Sequence, residues 1–335
     1  MNGVFLEEGA LKPNRRRLLA GLGGVLAVPS FALAQSARPR LAWLSLVSRN
    51  ARASGLEPFL QGMATLGYQD GRNFDLDERW GENSREVLER LVLEAMQRRP
   101  ALLVSQGPAI EVVRKHAGKT PVVFGTSGDP IELGIAKSLA RPGGNFTGVT
   151  FLSYALVGKR VELLHEVAPK ATRLAVLSNP EHGGDAKELA ATRDAAASLG
   201  LQVSHHPVKN AVELHRAFTA IAAQRGDGLV VHPDALMVEQ RAAIARFALE
   251  QRIPGISGWA VLAESGSLLT YGPNLQECYR RLAYFADRIL RGAKPDELPI
   301  ELPGTVELVV NLKTAKALGI TVPPALLLRA DRVIV

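Results

Sequence analysis

Six short polar segments, each closing an apolar run, carry the side chains of this sequence that are equipped for chemistry. In the first half they are residues 45–50, 105–108 and 125–130; in the second they are residues 178–180, 232–234 and 257–259. Their residue types suit holding a small polar molecule more than transforming one. Small hydroxyls, glycines and the free N–H groups at the starts of following helices can hold a carboxylate or similar anion. Asp129 or Asp234 can hold an ammonium group through charge-assisted hydrogen bonds. Trp259 and Tyr271 offer flat faces on which an apolar or aromatic body can stack. Taken singly, Ser, Gly, Asp and Asn before Pro are also ordinary turn and cap residues. An acid aimed into a cleft, however, is costly without a partner.

Signals for catalysis are weak. The sequence has no phosphate loop of the type Gly-x-x-x-x-Gly-Lys-Ser/Thr, no His-Glu-x-x-His and no Gly-x-Ser-x-Gly elbow. Its seven histidines are dispersed along the chain. His205 and His206 look like a metal pair, but adjacent strand residues point to opposite faces, so a surface strand end is expected. The single cysteine, Cys278, excludes an intrachain disulfide and a cysteine-based zinc site. It falls in a helical stretch and reads as a structural thiol. No catalytic residue, metal or cofactor is expected.

The hydropathy pattern supplies the elements that would position these segments. Residues 41–46, 74–80, 101–105 and 122–124 are apolar runs of strand length, and residues 59–66, 85–98 and 109–117 place apolar side chains at helical spacing. Such alternation builds a parallel sheet covered on both faces. The second half repeats the first. Residues 173–178 (RLAVLS) echo residues 40–45 (RLAWLS), Leu199-Gly200 echoes Leu66-Gly67, and Pro254 echoes Pro121, each pair 133 positions apart. Residues 228–231 correspond to 101–104 after a small length change. Capping boxes are expected at Asp185 with Glu188 and at Asn274 with Glu277. Gly67 and Gly200 sit where a helix ends in the left-handed conformation. Residues 267–271 and 306–310 read as further strands and 276–290 and 312–318 as helices, extending the two sheets and tying the halves together. The expected fold class is α/β, with two similar doubly wound parallel-sheet lobes.

Composition agrees with two such lobes: 335 residues, 47% hydrophobic and 22% charged. The formal net charge is +7, but the basic residues are scattered. A mildly basic soluble surface is expected, with no nucleic acid as partner. At the N-terminus, residues 14–19 (NRRRLL) form a basic region, residues 18–33 a modest apolar stretch, and Ala32-Leu33-Ala34 a small-residue cleavage site. Residues 1–34 therefore read as a cleavable, twin-arginine-like export signal, with Gln35 the first mature residue. The apolar stretch is too short and Gly-rich to span a bilayer comfortably.

The loops, in this order, resemble the ABC-transporter substrate-binding family that includes tryptophan- and tyrosine-uptake proteins. The resemblance runs from about Arg40 to Val335. It is carried by residues 125–130 (GTSGDP), 139–148 (LARPGGNFTG), 271–274 (YGPN), 309–320 (VVNLKTAKALGI) and 66–73 (LGYQDGRN), and by Trp80-Gly81-Glu82. It implies a type I periplasmic-binding-protein fold with several crossovers, near residues 145–151, 269–272 and 299–305. Lobe 1 would comprise residues 38–148 and 272–300, and lobe 2 residues 149–271 and 301–335. It further implies ligand contacts from Ser45, Gln106, Gly107, Pro108, Ala109, Thr126, Ser127, Asp129, Asn179, Asp234, Trp259 and Tyr271. Two departures bear on the ligand and not on the fold. Gly107 stands where relatives often have Thr, and Ala235 follows Asp234 where relatives that carry aromatic amino acids have a polar residue.

The function this implies is a periplasmic solute-binding protein of an ABC importer, closing its hinge on an amino acid or related solute. Its partners would be that small molecule and an inner-membrane permease with its ATPase, and the protein itself a monomer. Two other classes stay open on sequence: a ligand sensor feeding a signalling receptor, and an enzyme on the same scaffold.

Overall fold

Apolar runs of three to six residues become the inner strands, buried along almost their whole length. The computed structural model describes residues 38–49, 55–151 and 153–335. The expected export signal and Asn50 lie outside them. In chain order the first half gives β1 (Arg40–Ser45), α1 (Leu56–Thr65), β2 (Asp75–Trp80), α2 (Arg85–Gln97), β3 (Leu102–Gln106), α3 (Ala109–His116), β4 (Val122–Thr126) and β5 (Phe146–Thr150). The second gives α4 (Val157–Val167), β6 (Arg173–Ser178), α5 (Asp185–Ser198), β7 (Gln202–Pro207), α6 (Ala211–Gln224), β8 (Gly228–Val231), α7 (Ala235–Glu239), α8 (Arg241–Glu250), β9 (Gly255–Ser257), α9 (Ala260–Glu264) and β10 (Leu269–Pro273). There follow α10 (Leu275–Leu290), β11 (Val306–Asn311), α11 (Leu312–Leu318), α12 (Pro324–Arg329) and β12 (Arg332–Ile334).

The first sheet has the order β2-β1-β3-β4-β5, all parallel. The second contains the same order again, β7-β6-β8-β9-β10, also parallel. The repeat read from the sequence is therefore a repeat of topology. Beyond β10 the second sheet adds β11, antiparallel to β10, and then β12. Both late strands extend the second sheet alone; the first gains only a single bridge between Val149 and Glu301. The long helix α10 follows a strand of the second sheet yet packs on α1 of the first. Its Leu282, Ala283, Phe285 and Ala286 share a core cluster with Trp43, Phe59 and Met63. The chain thus passes between the sheets after Thr150, around Asn274, and between Glu301 and Val306.

Local signals hold in part. Gly67 and Gly200 end their helices with φ of 87° and 72°. The Asn274 side chain caps α10 by accepting from the Glu277 N–H, but the Glu277 carboxylate bonds Thr305 instead of returning the contact. The capping box expected at Asp185 and Glu188 does not form. Gly184 is the N-cap of α5, without a side-chain bond. Both acids point inward, where Glu188 is fully buried. Nor is the His205-His206 strand end a surface feature. The two rings do face opposite ways, but His206 is buried and His205 is bonded to Ser178.

Two glycines allow neighbouring strands of one sheet to approach closely, each two residues before the chain leaves that sheet. A Cβ on Gly148 would overlap the carbonyl oxygen of Phe124, and one on Gly272 that of Gly258. Backbone oxygens cannot swing aside as a side chain can, so Gly148→Ala and Gly272→Ala should each cost about 1–3 kcal/mol. Gly158 in α4 meets nothing within 4 Å, so Gly158→Ala should leave stability unchanged or raise it by up to about 1 kcal/mol. Denaturant midpoints of the three variants check this ordering. Cys278 is a core residue of α10, and burial together with nearby Glu277 pushes its thiol up to about 12. The folded protein should therefore take up no thiol reagent at about pH 8, reacting only once unfolded.

Candidate functional site

A parallel sheet ends all its strands, and starts the following helices, along one edge. In this molecule those edges of the two sheets face each other. Between them lies a cavity lined by Gln106, Gly107, Ser127 and Tyr279 on one side and by His182, Asp234, Ala235, Val238 and Trp259 on the other, with Phe151 and Leu275 at the crossings. The cavity measures about 30 Å³, room for one or two water molecules. A roomier groove of about 630 Å³ opens at the amino ends of β6, β8 and β9, lined in part by Lys170, Arg225 and Arg252. No buried polar side chain is among its lining residues, and the strand tips are at the other edge.

Five of the residues expected to contact ligand line the cavity: Gln106, Gly107, Ser127, Asp234 and Trp259. Four others stand behind them. Ser45 accepts from Gln106 Nε2 at 2.9 Å. The hydroxyl of Thr126 accepts from the Gly128 N–H at 3.0 Å and shapes that turn. Asn179 Nδ2 donates to Asp234 Oδ1 at 3.2 Å. Pro108 is the N-cap of α3. The remaining three are elsewhere. Ala109 is fully buried in the core beside α2. Asp129 accepts from the Ile131 N–H and pairs with Lys187 across the lobes at 3.3 Å. Tyr271 packs against the core of the second sheet, and its carbonyl accepts from Arg160 Nε at 2.8 Å.

Sequence reasoning missed His182, Phe151 and Tyr279. Tyr279 is on α10, within the segment expected to return to the first lobe, but its helical spacing does not tell a cleft-facing ring from a core one. There it donates to Gln106 Oε1 and packs edge-on against Phe151. Phe151 also meets Trp259 edge-on, with ring centroids 6.2 Å apart. His182 lies only three residues beyond Asn179, and the loop folds it into the cleft. The signal was the loop itself, read two residues too short.

The histidines that are scattered in sequence converge in space. His182 Nε2 and Ser127 Oγ are hydrogen-bonded at 3.0 Å, joining the two lobes. Glu188 Oε1 is 3.7 Å from the same nitrogen, and Asp234 Oδ2 is 4.0 Å from Nδ1. His232 Nδ1 lies 3.6 Å from Asp185 and 3.9 Å from Glu188, while its Nε2 bonds Thr192 at 2.9 Å. Burial alone would depress the His182 imidazole, but Glu188, Asp234 and Asp185 outweigh it and hold it above histidine's usual range. Burial opposes ionisation of Asp185, yet His232 and Ser178 hold it below the usual carboxylate range. Fully buried Arg160 is pushed down to about 10 by loss of solvent, against the pull of Glu188. Asp234 Oδ1 caps α7 by accepting from the Leu236 N–H at 2.8 Å. Its Oδ2 and the Trp259 indole N–H, both buried at the cavity, have no hydrogen-bond partner. Ser127, His182 and Asp234 include the residue types of a nucleophilic relay. At 4.0 Å the carboxylate and the imidazole lie beyond hydrogen-bond distance.

At the rim, polar contacts join the lobes. Lys187 reaches Glu132 at 2.7 Å, Arg85 reaches Glu181 at 3.5 Å, and Glu239 accepts from Ser48 at 3.3 Å and Asn83 at 3.0 Å. Among the described residues no group of three or more His, Cys, Asp or Glu could hold a metal ion. No helix among them is long and apolar enough to cross a membrane.

Comparison with known proteins agrees with this architecture. The tyrosine-binding protein of Clostridioides difficile (strain R20291) is 24% identical over 261 residues, covering 78% of this chain and 75% of that protein. Among solved structures, an ABC domain from Streptococcus pneumoniae in complex with L-Trp is 22% identical, with a TM-score of 0.82 over 89% of this chain and 100% of that one. A carbohydrate-transporter solute-binding protein from Agrobacterium radiobacter in complex with D-arabinose is 13% identical, with a TM-score of 0.62 over 88% of this chain and 100% of that one. Residues 40–334 match the family described as ABC transporter substrate binding protein, and this chain belongs to that family.

Proposed function

We propose that this protein is the exported capture subunit of an ABC importer and that its solute is an amino acid with an apolar or aromatic side chain. The observation that carries the reading is the pairing at the cavity of a buried carboxylate with aromatic walls. Asp234 keeps one oxygen without a hydrogen-bond partner where Trp259, Phe151 and Tyr279 meet. A bare carboxylate oxygen at a wall is matched by an ammonium group, and the rings by an apolar side chain. The binding of tyrosine by one relative and of L-Trp by a structural neighbour supports the same class.

The cavity is smaller than any amino acid, so entry requires the lobes to part. On this reading, residues 38–148 with 272–300 move against residues 149–271 with 301–335, and the three passages between sheets act as the hinge. The rims then present a closed surface to the permease. Residues 1–34 direct export and are removed after Ala34, leaving a periplasmic monomer.

Ligand bound only by the folded protein stabilises it by RT ln(1 + [L]/Kd), about 2.7 kcal/mol at a hundredfold excess over Kd. L-Tryptophan or L-tyrosine should therefore raise the melting temperature of residues 35–335. Asp234→Asn keeps an oxygen for the cap of α7 but removes the charge, and should weaken binding about tenfold or more, about 1.4 kcal/mol. Trp259→Phe should abolish a ligand-dependent change in tryptophan fluorescence, since Trp43 and Trp80 lie in the first lobe's core. If a panel of the standard amino acids shifts neither melting nor fluorescence, the reading is wrong.

A further inference from the structure

An amino acid has two charged ends, and Asp234 answers only one of them. The other end is a carboxylate, which needs a cation or several N–H and O–H donors. None of the cavity-lining residues is lysine or arginine. His182 is the only one of them with a basic side chain, and that side chain is 4% exposed.

The groups around His182 decide its state. From α5 come Asp185 and Glu188, and from the loop after β8 come Asp234 and His232. Arg160 of α4 acts on Glu188, and His205 of β7 acts on Asp185 through the same buried cluster. From the first lobe comes the uncharged hydroxyl of Ser127. Lys187, also on α5, is turned outward to Asp129 and Glu132. Three carboxylates therefore face one guanidinium and a set of imidazoles in a water-poor interior. Excess negative charge there favours a proton on the imidazole nearest the cavity.

We infer that His182, as an imidazolium, sets the donor polarity of the cleft and selects ligands that carry a carboxylate beside their ammonium group; this rests on the amino-acid reading above. A doubly protonated imidazole can only donate. Its Nε2–H then donates to Ser127 Oγ, which leaves the serine's own proton free to point at a ligand. Positive His182, donor Ser127 and acceptor Asp234 together match the two ends of a zwitterion. A neutral His182 can instead accept from Ser127, and the donor is then turned away from the ligand. Held above the ordinary histidine value by the carboxylates around it, His182 should be mostly protonated at pH 6.5. Affinity for a zwitterion is full below its titration and is lost as pH rises through it, by up to about tenfold per pH unit.

The test is calorimetric titration of the mature protein with L-tryptophan and L-tyrosine, and with tryptamine and tyramine, which lack the carboxylate. Measurements run from about pH 5.5 to about pH 8.5, below the titration of the ligands' amines. The amino acids should bind more tightly than the amines at low pH and lose that advantage at high pH. His182→Gln should remove both the preference and its pH dependence. Side-chain nitrogen NMR of the ligand-free wild type provides a readout that needs neither ligand nor variant. Both His182 nitrogens should be protonated at pH 6.5, the ordinary histidine value. A neutral ring at that pH overturns the inference, as does binding that ignores pH or the carboxylate. Absence of binding by all four compounds and by the panel of standard amino acids overturns the amino-acid reading itself, and this inference with it.

Discussion

In a parallel βα unit, each strand ends at the edge where the next helix begins. The molecule depends on that constraint twice. Because β2-β1-β3-β4-β5 and β7-β6-β8-β9-β10 share one order, each sheet gathers its loops at its own carboxyl edge. Setting the two edges face to face then brings together residues as distant in sequence as Gln106 and Tyr279. Close approach of the last parallel strands helps to hold each edge in place, and the backbone at Gly148 and Gly272 has room for no side chain.

Such a meeting of loops concentrates charge where water is scarce. Asp185, Glu188 and Asp234 converge on His182 and His232, with Arg160 beneath. Burying one carboxylate is costly, and burying three is tolerable only with cations and donors in close attendance. The imidazoles therefore cannot be treated as spare side chains. They belong to the same electrostatic unit as the acid that faces the cavity, and a cationic ligand group would enter that unit as well.

The rim contacts are of a different kind. Lys187 is 41% exposed and Arg85 34%, so their ion pairs lie in high dielectric and are screened by salt. Pairs of this type contribute about 0–1 kcal/mol each. A closed state held by such contacts can be biased by a ligand touching both lobes, because the differential needed is only a few kcal/mol. Deep ion pairs across the gap would have locked it. On the proposed function, the exposed rim and the polar interior thus divide the task between reversibility and recognition.

The sequence by itself determined the α/β class, the internal repeat and the strand tips as the place where polar loop residues gather, because burial periodicity and turn residues are local properties. It also carried the family, through motifs such as GTSGDP and YGPN whose spacing survives in one dimension. What it left to the tertiary structure was every feature that depends on which distant surface a side chain meets. Asp185 and Glu188 had the spacing of a capping box, yet a buried cluster of histidines claimed them. Tyr271 had the type for a cleft wall but lies on a face turned into the second core, while Tyr279 reaches the cleft because α10 changes lobes. His182 gave no local signal distinguishing it from a loop residue. Its role arises only when Ser127, more than fifty residues earlier, is brought to 3.0 Å across the gap.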